Sequence, residues 1–164
     1  VNHSSWKKIE YIRNETNELV ALKRFREKFG KDYILINQDT FDNRQTSKNI
    51  LNKNLIEIDS RLKTVILDKK NLVKNGLGEI KFFDLRKIIE NAKYLHFSYS
   101  CFSNFADICD LSSHYQMPSL HLYQNSENSK NDLRLKTIES FIKNKQWFKS
   151  KWKIYLDRDG LEIC

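Results

Sequence analysis

The sequence predicts an α/β fold: one Rossmann-like domain on a mostly parallel sheet with helices on both faces. Three observations carry this expectation. Short apolar runs such as Tyr33-Ile34-Leu35-Ile36 are continuous rather than alternating, which is how a strand buried on both faces reads. Between such runs lie stretches whose apolar residues recur every three or four positions, as on one face of a helix. The 164 residues are 40% apolar and 12% aromatic, enough for one sizeable core and too many for a disordered chain.

In chain order, residues 15–29 set Leu19, Leu22, Phe25 and Phe29 on one helical face, with Asn14 to cap the start and Gly30 to end the helix in a left-handed turn. Residues 33–37 are the first buried strand. Residues 38–54, polar and rich in Asp, Asn and Thr, read as a long loop, and residues 55–59 and 64–68 as further strands. Residues 69–78 read as loop. Asp84 is expected to cap a helix through Leu85, Ile88, Ile89 and Ala92, and residues 94–99 return to strand. Residues 101–111 form a helix with Phe102, Phe105, Ala106 and Cys109 on one face. Pro118 marks a break before a strand at 119–123. Asn131 or Asp132 caps a helix carrying Leu135, Ile138, Phe141 and Ile142, and residues 152–156 close with an extended piece.

Lys and Arg number 29 against 21 Asp and Glu, a net charge of +8. The lysines are spread along the chain, and no zinc finger, RNP-like aromatic signature or KH-type loop accompanies them. The charge therefore reads as solubility and a general attraction for anions, nucleotides included, with nucleic-acid binding as an alternative. No apolar run approaches the ~20 residues of a membrane span, and no basic start followed by an apolar stretch marks a secretory signal. The first residue is Val1 rather than Met, as in a processed chain, an excised piece or a fragment of something longer. Cys101, Cys109 and Cys164 lack CxxC spacing and read as free thiols in a reducing compartment. Asn2-His3-Ser4 and Asn14-Glu15-Thr16 are read as chance matches to the glycosylation pattern.

Open α/β sheets bind ligands beyond the carboxyl ends of their strands, which singles out three segments. The first, Asn37-Gln38-Asp39 through Arg44, leaves the first buried strand. The second, Tyr99-Ser100-Cys101-Phe102, passes from strand to helix almost without a loop. The third begins at His121. A strand turning directly into a helix presents unpaired amides and a positive dipole end, a site for phosphate, with the Ser100 hydroxyl as a further donor or simply as the cap. Arg44 can clamp a diphosphate or a base, or simply be a solvated loop arginine. Neither GxGxxG nor GxxxxGK[ST] occurs. Asp157-Arg158-Asp159 has the DxD form of some metal-dependent sugar transferases but reads as a terminal turn. His3, His96, His114 and His121 lack metal-ligand spacing, and His96, inside a strand, reads as core. No catalytic residue is identified.

Ile88-Ile89-Glu90-Asn91-Ala92-Lys93-Tyr94-Leu95-His96, followed by Ser100-Cys101-Phe102 and Asp107, resembles a pattern in the C-terminal half of some GT-B-type glycosyltransferases, an "IIE-A-EIH" helix and strand, an Asp-Ser-Ser-Phe turn and a helix with an aspartate. Tyr33-Ile34-Leu35-Ile36-Asn37-Gln38-Asp39 with Arg44 is similar to that family's "YIFIHDD…R" strand and loop. Tyr11-Ile12-Arg13-Asn14 with Glu18 is similar to its "RD…E" helix start, His121-Leu122-Tyr123 to "H-Y", and Trp152-Lys153-Ile154-Tyr155 to a closing "W-I" segment. The chain reads Tyr99-Ser100-Cys101-Phe102 where the pattern has Asp-Ser-Ser-Phe, and Asn37-Gln38-Asp39 where it has His-Asp-Asp. Both departures fall at donor-site positions.

The resemblance implies half of a GT-B fold: residues 1–164 as the C-terminal, nucleotide-sugar-binding domain of a cytoplasmic two-domain protein of polysaccharide biosynthesis. A nucleotide-diphosphate sugar would be the donor, and a glycan or lipid-linked molecule the acceptor. An N-terminal partner domain would supply the catalytic base, with no metal or further cofactor, no nucleic acid, and room for peripheral membrane association. Donor contacts would come from Asn37, Asp39, Arg44, Tyr99, Ser100, Cys101, Phe102 and His121. The alternative is a non-catalytic Rossmann-like module that binds nucleotides or other anions.

Overall fold

In a computed structural model, residues 11–37, 59–98, 100–122, 152–156 and 161–162 are described. They form one Rossmann-like sheet. Its strands are β1 (Tyr33–Asn37), β2 (Lys63–Ile66), β3 (Tyr94–Ser98), β4 (Ser119–Leu122), β5 (Lys153–Leu156) and β6 (Leu161–Glu162), arranged β2-β1-β3-β4-β5-β6. The first five of that order are parallel, and β6 runs antiparallel along β5. All five residues of β1 are buried, as a continuous apolar run in the middle of a parallel sheet demands.

Helix α1, Glu15–Phe29, begins where the Asn14 side chain accepts from the Asn17 amide. It stops at Gly30, whose φ of 90° is positive as expected of a terminating glycine, while its ψ of 176° differs from that of a left-handed helical turn. Its buried face is Glu18, Ala21, Leu22, Phe25 and Phe29. Leu19, expected on that face, is 55% exposed, because a repeat starting at 18 rather than 19 leads to 22, 25 and 29. Phe25 packs on Phe29 and on Tyr33 of β1 at centroid distances of 4.7 and 4.9 Å.

Three further helices follow, each differing from the sequence expectation for a local reason. α2, Lys69–Lys74, occupies part of the stretch expected as loop, started by the Asp68 carboxylate on the Asn71 amide. It buries only Leu72, so it leaves no periodic trace. Asp84 does not cap the next helix. It lies inside a 3₁₀ turn, Phe82–Leu85, that runs straight into α3, Arg86–Glu90, and the turn itself occupies the positions where a cap would sit. α4 is Cys101–Asp107, shorter than the expected 101–111. Beyond it the Ile108 and Cys109 amides bond three residues back, to Phe105 and Ala106, and this tighter turn keeps Cys109 buried past the helix end.

Strand alternation divides the sheet into two faces. Tyr33, Leu35, Val65, Leu95, Phe97 and Leu120 join the core cluster that receives α1, α2, α3 and α4. The Tyr33 hydroxyl donates to the Ile88 carbonyl at 2.7 Å within it. Ile34 and Ile36 form a second cluster on the other face with Leu62 and Tyr94, and His96, Ser119 and His121 are buried there too. The helix expected near residues 131–142, the loop at 38–54, the strand residues 55–58 and the DxD stretch at 157–159 lie outside the described residues. No helix among the described residues is long and apolar enough to cross a membrane.

Candidate functional site

The order β2-β1-β3-β4-β5 reverses direction between β1 and β3. In sheets of this order the crevice for a ligand opens there, beyond the carboxyl ends of the strands. The last residue of β1 is Asn37, and β3 leads through one residue to Ser100, the N-cap of α4. The Ser100 hydroxyl donates to Asn37 Oδ1 at 3.1 Å, and Asn37 Nδ2 donates to the Leu67 carbonyl at 2.8 Å. Two candidate residues 63 positions apart therefore meet at the switch point and tie the ends of three strands together.

The start of α4 is closed by its own side chains. Ser100 Oγ accepts from the Phe102 amide at 3.2 Å and from the Ser103 amide, while Ser103 Oγ accepts from the Ser100 amide at 2.9 Å. The Asn104 amide donates to the Ser100 carbonyl, which leaves the Cys101 amide outside this set. Ser103, absent from the sequence expectations, is signalled by the Ser-x-x-Ser spacing of a capping box. Phe102 turns inward, against Phe82 and Phe97 at centroid distances of 5.2 and 6.5 Å. The Cys101 thiol is half-buried, and burial raises its pKa against the pull of nearby amides. Cys109, buried, is pushed up to about 12. Neither thiol is activated as a nucleophile.

His121 sits away from Asn37 and Ser100, on the second face. Its Nε2 lies 2.9 Å from Ser119 Oγ, whose other side is 2.6 Å from His96 Nδ1, and its ring stacks on Tyr155 at 5.2 Å. Burial, with repulsion from His121, pushes His96 down to about 4, so it is neutral at physiological pH. His96 Nε2 is buried and has no hydrogen-bond partner among the described residues. Asp39, Arg44 and Tyr99 lie outside the described residues. Among the described residues no three His, Cys, Asp or Glu side chains are grouped to hold a metal ion.

Several residues that carry the family resemblance are joined in space. Besides Asn37 with Ser100, Trp152 Nε1 donates to Asp107 Oδ1 at 3.0 Å, and Arg13 forks onto the buried Glu18 at 3.1 and 2.6 Å. His96 and His121 share Ser119. Glu90 accepts from Arg86 at 2.8 Å and from the Asp110 amide at 3.1 Å; these bonds outweigh its burial and keep its carboxyl below the usual range. An open depression lined by Cys109, Asp110, His114, Tyr115 and Met117 lies in the connection from α4 to β4, at the opposite edge of the sheet. Compared with family models, with curated proteins and with solved structures, the chain matches none.

Proposed function

We propose that the chain is the donor-binding domain of a cytoplasmic, GT-B-type glycosyltransferase-like protein. It takes a nucleotide-diphosphate sugar for transfer to a glycan or lipid-linked acceptor, without a metal. The observation that carries this reading is the Asn37–Ser100 bond at the β1/β3 switch point. It joins the two segments whose sequences resemble the family's donor elements, at the edge where sheets of this order bind nucleotides. The pairing of Asp107 with Trp152 and of Arg13 with Glu18 adds support, since residues of one inherited pattern are expected to meet.

In this reading Asn37 and Ser100 hold the crevice in shape rather than grip the ligand. The Cys101 amide and the positive end of α4 face the diphosphate and stabilise its charge as the sugar departs, with Arg44 as the cationic helper. The acceptor's base comes from the partner domain. A thermal-shift panel of UDP, GDP, ADP, CMP and their sugars tests this: one diphosphate family should stabilise the chain, by about 2.7 kcal/mol at 100 times its Kd. A panel without a shift, or a preference for RNA or DNA polymer that falls steeply with salt, ends this reading. The capping box around Ser100 favours one second reading, a non-catalytic anion module, because it leaves few amides free to select a ligand. Such a module would respond equally to all four nucleotides and to inorganic diphosphate.

A further inference from the structure

The chain ahead of α1 is fastened at two points. Tyr11 stacks on Phe83 at 4.8 Å and 22°, and its ring lies 5.7 Å from Phe105 of α4. Its hydroxyl accepts from Arg86 Nη1 at 3.1 Å. The same guanidinium donates to Glu90 at 2.8 Å and to the carbonyl of Ile108, the residue that closes α4, at 3.1 Å. Two residues after Tyr11, Arg13 grips Glu18, which is 1% exposed. Ile12 between them is 99% exposed, so only alternate residues of this stretch are held.

We infer that residues 11–13 act as a strap that couples the chain entering the domain to α4. A seven-residue helix does not hold itself in water and depends on what packs against it. The strap reaches α4 at two places, through the Tyr11 ring on Phe105 and through Arg86 on the Ile108 carbonyl. The far end of α4 is Ser100, at the switch point. The ring of Tyr11 is the two-state element. Docked, it fixes both Phe105 and the Arg86 fork. Pulled away by whatever moves the chain ahead of it, it frees the two together, and the disturbance arrives at the sheet's carboxyl edge through one short helix. The coupling does not depend on which ligand the edge takes.

Hydrogen exchange read by mass spectrometry tests this on the full chain, comparing the parent with Tyr11→Ala and Tyr11→Phe. In Tyr11→Ala the amides of residues 102–107 should exchange about tenfold faster while those of residues 33–37 keep the parent rate, as a local rather than global opening requires. Tyr11→Phe keeps the ring and loses the hydroxyl, and should show a smaller acceleration confined to the same segment. Parent rates at residues 102–107 in Tyr11→Ala, or an equal acceleration in β1 and α4, would overturn the strap. Should Tyr11→Ala not fold, Tyr11→Phe decides alone: acceleration in α4 with β1 unchanged supports the coupling, and any other result refutes it.

Discussion

Asn37 is fully buried, and its amide bonds on both sides, to the Leu67 carbonyl and the Ser100 hydroxyl. Asn37→Ala removes both bonds and leaves two polar groups buried, so urea denaturation should show a loss of about 2–3 kcal/mol. Ser100→Ala removes the cap of α4 and should cost about 1–2 kcal/mol, while weakening nucleotide binding little. Cys101→Asp, which puts a negative charge at the dipole end, should weaken nucleotide binding far more. Both Asn37 and Ser100 are legible in the sequence as positions at strand ends. Their bond to each other is not, because nothing local reports a partner 63 residues away. His96 contributes a pH dependence in the mildly acid range, in the same direction as His114, which burial also lowers. The folded pKa of His96, about 4, lies below the ordinary 6.5, so the unfolded chain binds the extra proton between those values. The stability is therefore present above pH 6.5 and is lost as pH falls toward 4. From His96 alone this amounts to about 2 kcal/mol less stability at pH 5 than at pH 7.5, so urea denaturation at the two pH values should show His96→Phe losing about that much less than the parent.

At the scale of elements, α1 owes its register to its buried face and its end to one glycine. Gly30, at φ 90° and ψ 176°, occupies a region that residues with a Cβ essentially never enter, although a methyl there would touch nothing within 4 Å. Gly30→Ala should therefore cost about 1–3 kcal/mol through conformation alone, while Phe25→Ala should cost about 3–5 kcal/mol by opening a cavity against Phe29 and Tyr33. Thermal melts of the pair compare a backbone effect with a packing one. The long apolar signals, α1 and β1, are legible because many residues repeat one pattern. The α2 helix is not, since one buried leucine defines no period, and Asp84 misleads because a cap and a 3₁₀ turn favour the same short polar residue. Leu19 misleads for another reason: a helix face is broad enough that a neighbouring apolar residue joins it on paper and faces water in the fold.

For the whole molecule, the sheet order and the bonds across it have a kinetic consequence. Parallel strands with crossovers between them bring distant parts of the chain together, and contacts that close long loops form late in folding. Asn37 with Ser100 closes a loop of 63 residues, and Asp107 with Trp152 one of 45. Both bonds are therefore expected to form after the barrier is crossed, with the local packing of Phe25 of α1 on Tyr33 of β1 better placed to form the nucleus. Asn37→Ala and Trp152→Phe should then leave refolding rates near those of the parent and raise unfolding rates, by about thirtyfold for a 2 kcal/mol loss. Stopped-flow chevrons decide it, because a slowed refolding limb would put the bond in the nucleus instead. On this account the buried amide at the switch point governs how long the folded state lasts, and has little say in how fast it is reached.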